Sequence, residues 1–189
     1  DAKEYGSILD VKKVDFHAIE RRFEEIRGEI TRDLFDYQNK ETILEKVLPL
    51  VKQGKIMSEK YDVVCTNPPY MGRNGMDEKL LQYTQDNFVH SKGDLFAVFI
   101  DKALSFVKNN RYVSLITMQS WMYLPMFKQL RKQLFAESMF SSIIHLGSRA
   151  FEEIKGEKVK AVAFILKSVR NRKNIPIFVN LTNYNNHLK

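Results

Sequence analysis

The residues best equipped for chemistry in this sequence are Asn67, Pro68, Pro69 and Tyr70, set directly after the run Tyr61-Asp62-Val63-Val64-Cys65-Thr66. A β-forming run that stops in Asn-Pro-Pro-Tyr predicts a strand whose carboxyl end is a rigid turn. Proline holds φ near −65°, and Pro68 disfavours the helical region for the residue before it, so the Asn67 amide and the Pro68 carbonyl stand in a fixed relation. Both accept hydrogen bonds, and Tyr70 adds a flat aromatic face at the same strand end. Two acceptors beside a ring suit a planar group bearing an NH2: the acceptors take the amine hydrogens and the plane stacks on the ring. The carboxyl ends of strands are also where open α/β sheets hold ligands. A bare turn with Tyr70 as core filler is the alternative reading.

The elements that must position these residues are set by a chain of 189 residues, 44% of them hydrophobic, which is enough for one domain of ordinary size with a proper core. No run approaches the roughly 18 apolar residues of a membrane span, so no membrane partner is expected. The first residues, Asp1-Ala2-Lys3-Glu4, show neither an initiator Met nor the apolar core of a signal peptide. The chain is therefore expected to be a piece of something longer. A single Cys65 cannot form an internal disulfide and four scattered histidines offer no metal-ligand cluster, so a reducing cytoplasm and no metal are expected. The formal net charge of +7 favours a polyanionic partner, although Lys-rich helices are often only solvated faces.

In chain order, Ile19, Phe23, Ile26, Ile30 and Leu34 recur at helical spacing, with Arg21, Arg22, Arg27 and Arg32 mostly off the stripe as a solvated basic face. Asn39 can cap a second helix through Ile43 to Val51, kinked at Pro49 and closed by Gly54. Residues 1–57 thus read as a helical lead-in. After the Asn-Pro-Pro-Tyr turn, Met71 to Met76 is a glycine-containing loop that either covers a substrate or merely connects. Helices are predicted from Asp77 to about Val89 and from Gly93-Asp94 to Lys108, the second apolar nearly all round and capped by Asp94. Tyr112 to Thr117 is a second strand, which with the intervening helices is the pattern of a parallel α/β sheet. A helix from Leu124 to about Glu137 carries Lys128, Arg131 and Lys132 on its outer side. Phe140–Leu146 and Val159–Leu166 predict an antiparallel hairpin at the sheet edge. Residues 58–169 are one segment; residues 170–189 are a basic tail or the start of a following segment, with an apolar run from Ile175 to Leu181 left unassigned. Trp121 and Phe96 read as core.

The motif and its context, Asn67-Pro68-Pro69-Tyr70-Met71-Gly72, Ser91-Lys92-Gly93-Asp94-Leu95-Phe96, Ile116-Thr117-Met118-Gln119-Ser120-Trp121 and His145-Leu146-Gly147-Ser148-Arg149-Ala150-Phe151, resemble the adenine-specific DNA N6-methyltransferases of bacterial BREX phage-defence systems, the PglX family, and related type IIG enzymes. The resemblance runs from about Asp1 to Ser168. It implies a partial Rossmann-like methyltransferase fold, mostly parallel with a C-terminal antiparallel hairpin, in which residues 58–169 are the second half of the catalytic domain. It implies S-adenosylmethionine as cofactor, double-stranded DNA as partner, and room for other subunits of a defence complex. Asn67 and the Pro68 carbonyl would accept both N6 hydrogens of a flipped adenine and localise the nitrogen lone pair for attack on the methyl-sulfonium, with Tyr70 stacked on the base. Phe151 is implied as the other wall of that pocket, a plug tying the hairpin to the core being the alternative. The eight glycines never form G-x-G before a helix, so most of the cofactor pocket is expected outside this chain. Glutamine or RNA amino-methylation, which uses the same acceptors, stays open, as does a non-catalytic DNA-binding or assembly fragment.

Overall fold

A computed structural model describes residues 2–148, 150, 160–169 and 175–182. Its elements are α1 (Ala2–Tyr5), α2 (Phe16–Gly28), α3 (Leu34–Thr42), α4 (Leu48–Ser58), β1 (Tyr61–Thr66), α5 (Glu78–Asn87), α6 (Leu95–Phe106), β2 (Val107–Met118), α7 (Lys128–Glu137), β3 (Met139–Gly147), β4 (Ala161–Lys167) and β5 (Ile177–Asn180). Leu9–Glu59 form one compact unit; Asp1–Ile8 with Lys60–Lys189 form another.

The helical unit departs from the pattern read in its sequence. The apolar stripe through Ile30 and Leu34 predicts one continuous helix, yet α2 stops at Gly28 and Ile30 is 94% exposed. Lys40 Nζ donates to the carbonyls of Arg27 and Glu29 at 2.7 and 2.9 Å, satisfying acceptors that a longer helix would have used. Asp33 rather than Asn39 then opens α3, its carboxylate accepting from Asp36 N at 2.8 Å. A π turn over Ile43–Val47 shifts the hydrogen-bond ladder just ahead of Pro49, which enters the first turn of α4. Gly54 lies inside α4 facing the Phe16 ring and closes nothing. The basic face of α2 is exposed and largely answered by its own acids: Arg22 pairs with Glu25 at 2.8 Å and Arg27 with Glu24 at 2.9 Å. Such pairs contribute little to stability but reduce the field a polyanion would feel.

The second unit is an α/β fold around a mixed sheet of order β1-β2-β4-β3-β5. β1 and β2 are parallel, β4 is antiparallel to both β2 and β3, and β5 is parallel to β3. Four of these five strands therefore run the same way and β4 alone is reversed. The predicted antiparallel hairpin is present, but it is not at the edge: β4 lies between β2 and β3, and the run left unassigned supplies β5 beside β3. Burial explains the placement, since Ala161, Val162, Phe164 and Leu166 are all at most 2% exposed, as a central strand requires.

One sheet face carries the core. Val113 and Leu115 of β2 and Phe164 and Leu166 of β4 pack with Ala97, Ile100 and Ala103 of α6 and Leu130 and Leu134 of α7. The other face is barely covered along β1, β2 and β4: Val63, Tyr112 and Ile165 are 61%, 41% and 37% exposed. Trp121 is buried, stacked on Phe140, with its indole N–H donated to Thr117 Oγ1 at 3.1 Å, so it is core as its sequence context predicts. Phe164→Ala should destabilise the chain by about 3–5 kcal/mol, since a fully buried ring leaves a cavity that its neighbours fill only in part. Chemical denaturation reads this as a lower midpoint with an unchanged slope.

Candidate active site

Strand direction brings the carboxyl ends of β1, β2, β3 and β5 to one end of the sheet. Asn67 leaves β1 there, exposed; Pro68 behind it is buried, Pro69 is exposed and Tyr70 is half-buried. The Tyr70 hydroxyl donates to Asn67 Oδ1 at 3.0 Å, with the Ile116 carbonyl of β2 a second acceptor at 3.4 Å. Burial raises the Tyr70 phenol above its ordinary pKa, which keeps the proton in place for that donation. An amide oxygen has two lone pairs, so Asn67 Oδ1 retains acceptor capacity beside the one Tyr70 uses. The ring of Tyr70 meets Phe96 edge-on, centroids 6.4 Å apart at 87°. Asn67 and Tyr70 are thus one hydrogen-bonded unit at the strand end, a link invisible in the residue pattern because the prolines explain the turn without it.

The following loop is held at both ends. Met71 N–H donates to Asp94 Oδ1 at 3.1 Å, Leu95 N–H donates to the Met71 carbonyl at 2.9 Å, and Gly72 forms an isolated antiparallel bridge with Asp94. At the far end Met76 is buried with Leu80, Phe88, Leu95 and Val98. Asp94 also caps α6, its carboxylate accepting from Phe96 N at 3.2 Å. Burial pushes its carboxyl up, while the N–H groups of Phe96, Met71 and Leu95 pull it down. The capping role was legible in Gly93-Asp94; the grip on Met71 spans 23 residues and was not.

Past β2, Gln119 Oε1 meets His145 Nε2 of β3, and the Tyr123 hydroxyl lies 3.3 Å from the same nitrogen. Two of the quoted sequence segments therefore join at the end of the sheet that carries Asn67. Arg131 does not lie on the outer side of its helix as expected: Nη1 donates to the carbonyls of Trp121 and Leu124 at 2.7 and 2.9 Å, closing the turn after β2. Phe151 lies outside the described residues.

The carboxylate on β1, Asp62, lies at the opposite end of the strand from Asn67, where hydrogen bonds from Lys108 and Arg111 hold it below the usual carboxylate range. Among the described residues no group of three or more His, Cys, Asp or Glu side chains could hold a metal ion, and no helix is long and apolar enough to cross a membrane.

A model of the Eco57I restriction-modification methylase family matches residues 6–151. The chain is 36% identical over 188 residues to the adenine-specific methyltransferase BrxX of Escherichia coli O9:H4 (strain HS), covering 100% of this chain and 15% of that protein. It is 33% identical over 184 residues to the adenine-specific methyltransferase PglX of Lacticaseibacillus casei (strain Zhang), covering 97% of this chain and 15% of that one. The chain spans about 15% of the length of the curated relatives it matches. Among solved structures, the DrdV–DNA complex shares the fold, with a TM-score of 0.52 at 16% identity over 71% of this chain and 16% of that one.

Proposed function

The chain belongs to the Eco57I restriction-modification methylase family, and we propose from this premise that it carries the target-base side of a DNA adenine-N6 methyltransferase. The observation that carries the reading is the joined pair at the end of β1: Asn67 Oδ1 fixed by the Tyr70 hydroxyl at 3.0 Å, beside the ring. The N6 amine of adenine cannot be reached while the base is stacked, so the base must first leave the duplex. Asn67 Oδ1 and the Pro68 carbonyl then accept the two amine hydrogens, which draws the nitrogen toward tetrahedral geometry and frees its lone pair. Tyr70 supports the plane of the base, with stacking on the order of 1–3 kcal/mol. Residues 58–169 hold these groups, and the net charge of +7 suits double-stranded DNA as partner.

S-adenosylmethionine is the methyl donor in this reading, and because the sequence offers no G-x-G before a helix, its pocket is assigned largely to parts of the protein that this chain does not span. The 189-residue chain alone is accordingly expected to show no micromolar affinity for S-adenosylmethionine; a calorimetric titration with a clear micromolar isotherm would contradict that assignment. The function itself is tested in the full-length protein with tritiated S-adenosylmethionine offered duplex DNA, RNA and a glutamine-bearing protein in parallel. Label on adenine N6 of the duplex is the expected result. Label on RNA or protein alone replaces the reading with amino-methylation of that substrate.

A further inference from the structure

We propose that Asp94 is a positioning residue for the target base, setting the plane of the Tyr70 ring by gripping the residue next to it. The inference rests on the reading of Tyr70 given above. An aspartate at a helix start ordinarily spends its carboxylate on the N–H groups of its own first turn. Asp94 Oδ1 divides itself instead between Phe96 N–H of α6 at 3.2 Å and Met71 N–H at 3.1 Å. The adjoining Leu95 N–H takes the Met71 carbonyl at 2.9 Å, so both backbone groups of Met71 are held by the start of α6. One residue further, the Phe96 ring lies edge-on to Tyr70. Asp94, Leu95 and Phe96 thus bracket the pair Tyr70-Met71 from one side, by carboxylate, amide and ring in succession.

The bracket has a firm back. A Cβ on Gly93 would collide with the Met126 methyl and lie 3.1 Å from the Phe127 ring, so the segment bearing Asp94 sits close against the Pro125–Phe127 turn. With the peptide after Tyr70 fixed in this way and its hydroxyl fixed on Asn67, the ring is located at both ends of the residue. Release of Met71 leaves the ring held by its hydroxyl and by the edge contact with Phe96, with the backbone beside it free to shift, and the ring then loses the defined plane on which a base would stack. A loss of order in a residue that presents substrate is felt in turnover more than in stability.

The test is a double-mutant cycle in the full-length protein, read as kcat/KM for methyl transfer to duplex DNA, with melting temperatures alongside. Asp94→Ser keeps a residue competent to cap α6 but too short to reach Met71, and is expected to lower kcat/KM roughly tenfold at a nearly unchanged melting temperature. Asp94→Asn retains an acceptor of the same reach and should recover most of the rate. In a Tyr70→Ala background Asp94→Ser should cost nothing further, because the ring it positions is gone. Asp77→Ala, which removes the comparable cap of α5 (Leu80 N to Asp77 Oδ1, 2.8 Å), should leave turnover of the folded enzyme unchanged. Multiplying losses in the double mutant, an Asp94→Asn variant no better than Asp94→Ser, or equal damage from Asp77→Ala would each overturn the inference while leaving the role of Tyr70 intact. Should Tyr70→Ala alone transfer methyl at the wild-type rate, the reading of Tyr70 falls, and this inference with it.

Discussion

Asn67→Ala in the full-length protein is expected to remove methyl transfer to adenine by roughly two to three orders of magnitude, the scale seen when one preorganised polar group facing a reacting atom is deleted. The expectation follows from what the amide touches. Its oxygen is held by the Tyr70 hydroxyl and keeps a second lone pair, at an exposed strand end where a substrate amine can arrive. Alanine leaves the amine with the Pro68 carbonyl alone, so the nitrogen lone pair stays delocalised into the ring. Binding of S-adenosylmethionine should change little, because Asn67 acts on the amine and the cofactor pocket is assigned elsewhere. The measurement is tritium transfer to duplex DNA paired with cofactor titration of the same variant; wild-type transfer rates would remove Asn67 from the mechanism.

Tyr70→Ala is the second large effect, about 5- to 150-fold in kcat/KM if the ring supplies 1–3 kcal/mol of base stacking. Tyr70→Phe separates the ring from the hydroxyl. The ring alone predicts a mild variant, but the structure gives the hydroxyl work of its own: it orients the Asn67 amide at 3.0 Å. A hydrogen bond of this kind contributes about 0.5–1.5 kcal/mol, so Tyr70→Phe should lie about two- to tenfold below wild type, well above Tyr70→Ala. A 2-aminopurine reporter at the target position distinguishes the two losses, since only Tyr70→Ala should alter the signal of the flipped base. Equal rates for Tyr70→Phe and Tyr70→Ala would mean that the hydroxyl, and not the face of the ring, is what the reaction uses.

What could be read from the sequence was what local chemistry decides. The strand before Asn67, the cap at Asp94, the nearly all-apolar α6 and the core place of Trp121 depend on neighbours within a few residues, and each stands in the structure as its own stretch of chain implies. The features that escaped depend on partners far along the chain. The stripe through Ile30 and Leu34 continues past the end of α2, and only the reach of Lys40 back to Arg27 and Glu29 shows why the helix stops. The insertion of β4 between β2 and β3 depends on which strand has the apolar side chains to pair along both of its edges, and β5 finds its place beside β3. At the site the motif residues were legible as types, but the hydroxyl on Asn67, the grip of Asp94 on Met71 and the meeting of Gln119 with His145 are tertiary pairings that no spacing announces.

Among the described residues β1 lies at the border of the sheet, which bears on how this 189-residue chain behaves when it is made by itself. A border strand is a template for other chains unless it is short, charged, interrupted or covered. Tyr61–Thr66 has no proline and one charged side chain, Asp62, which Lys108 and Arg111 pair, and its Val63 is 61% exposed. A strand from another molecule that joined there would lie about 4.8 Å from β1, alongside the segment that ends in Asn67. In the isolated chain, unwanted association and loss of access to the Asn67 amide would therefore be the same event.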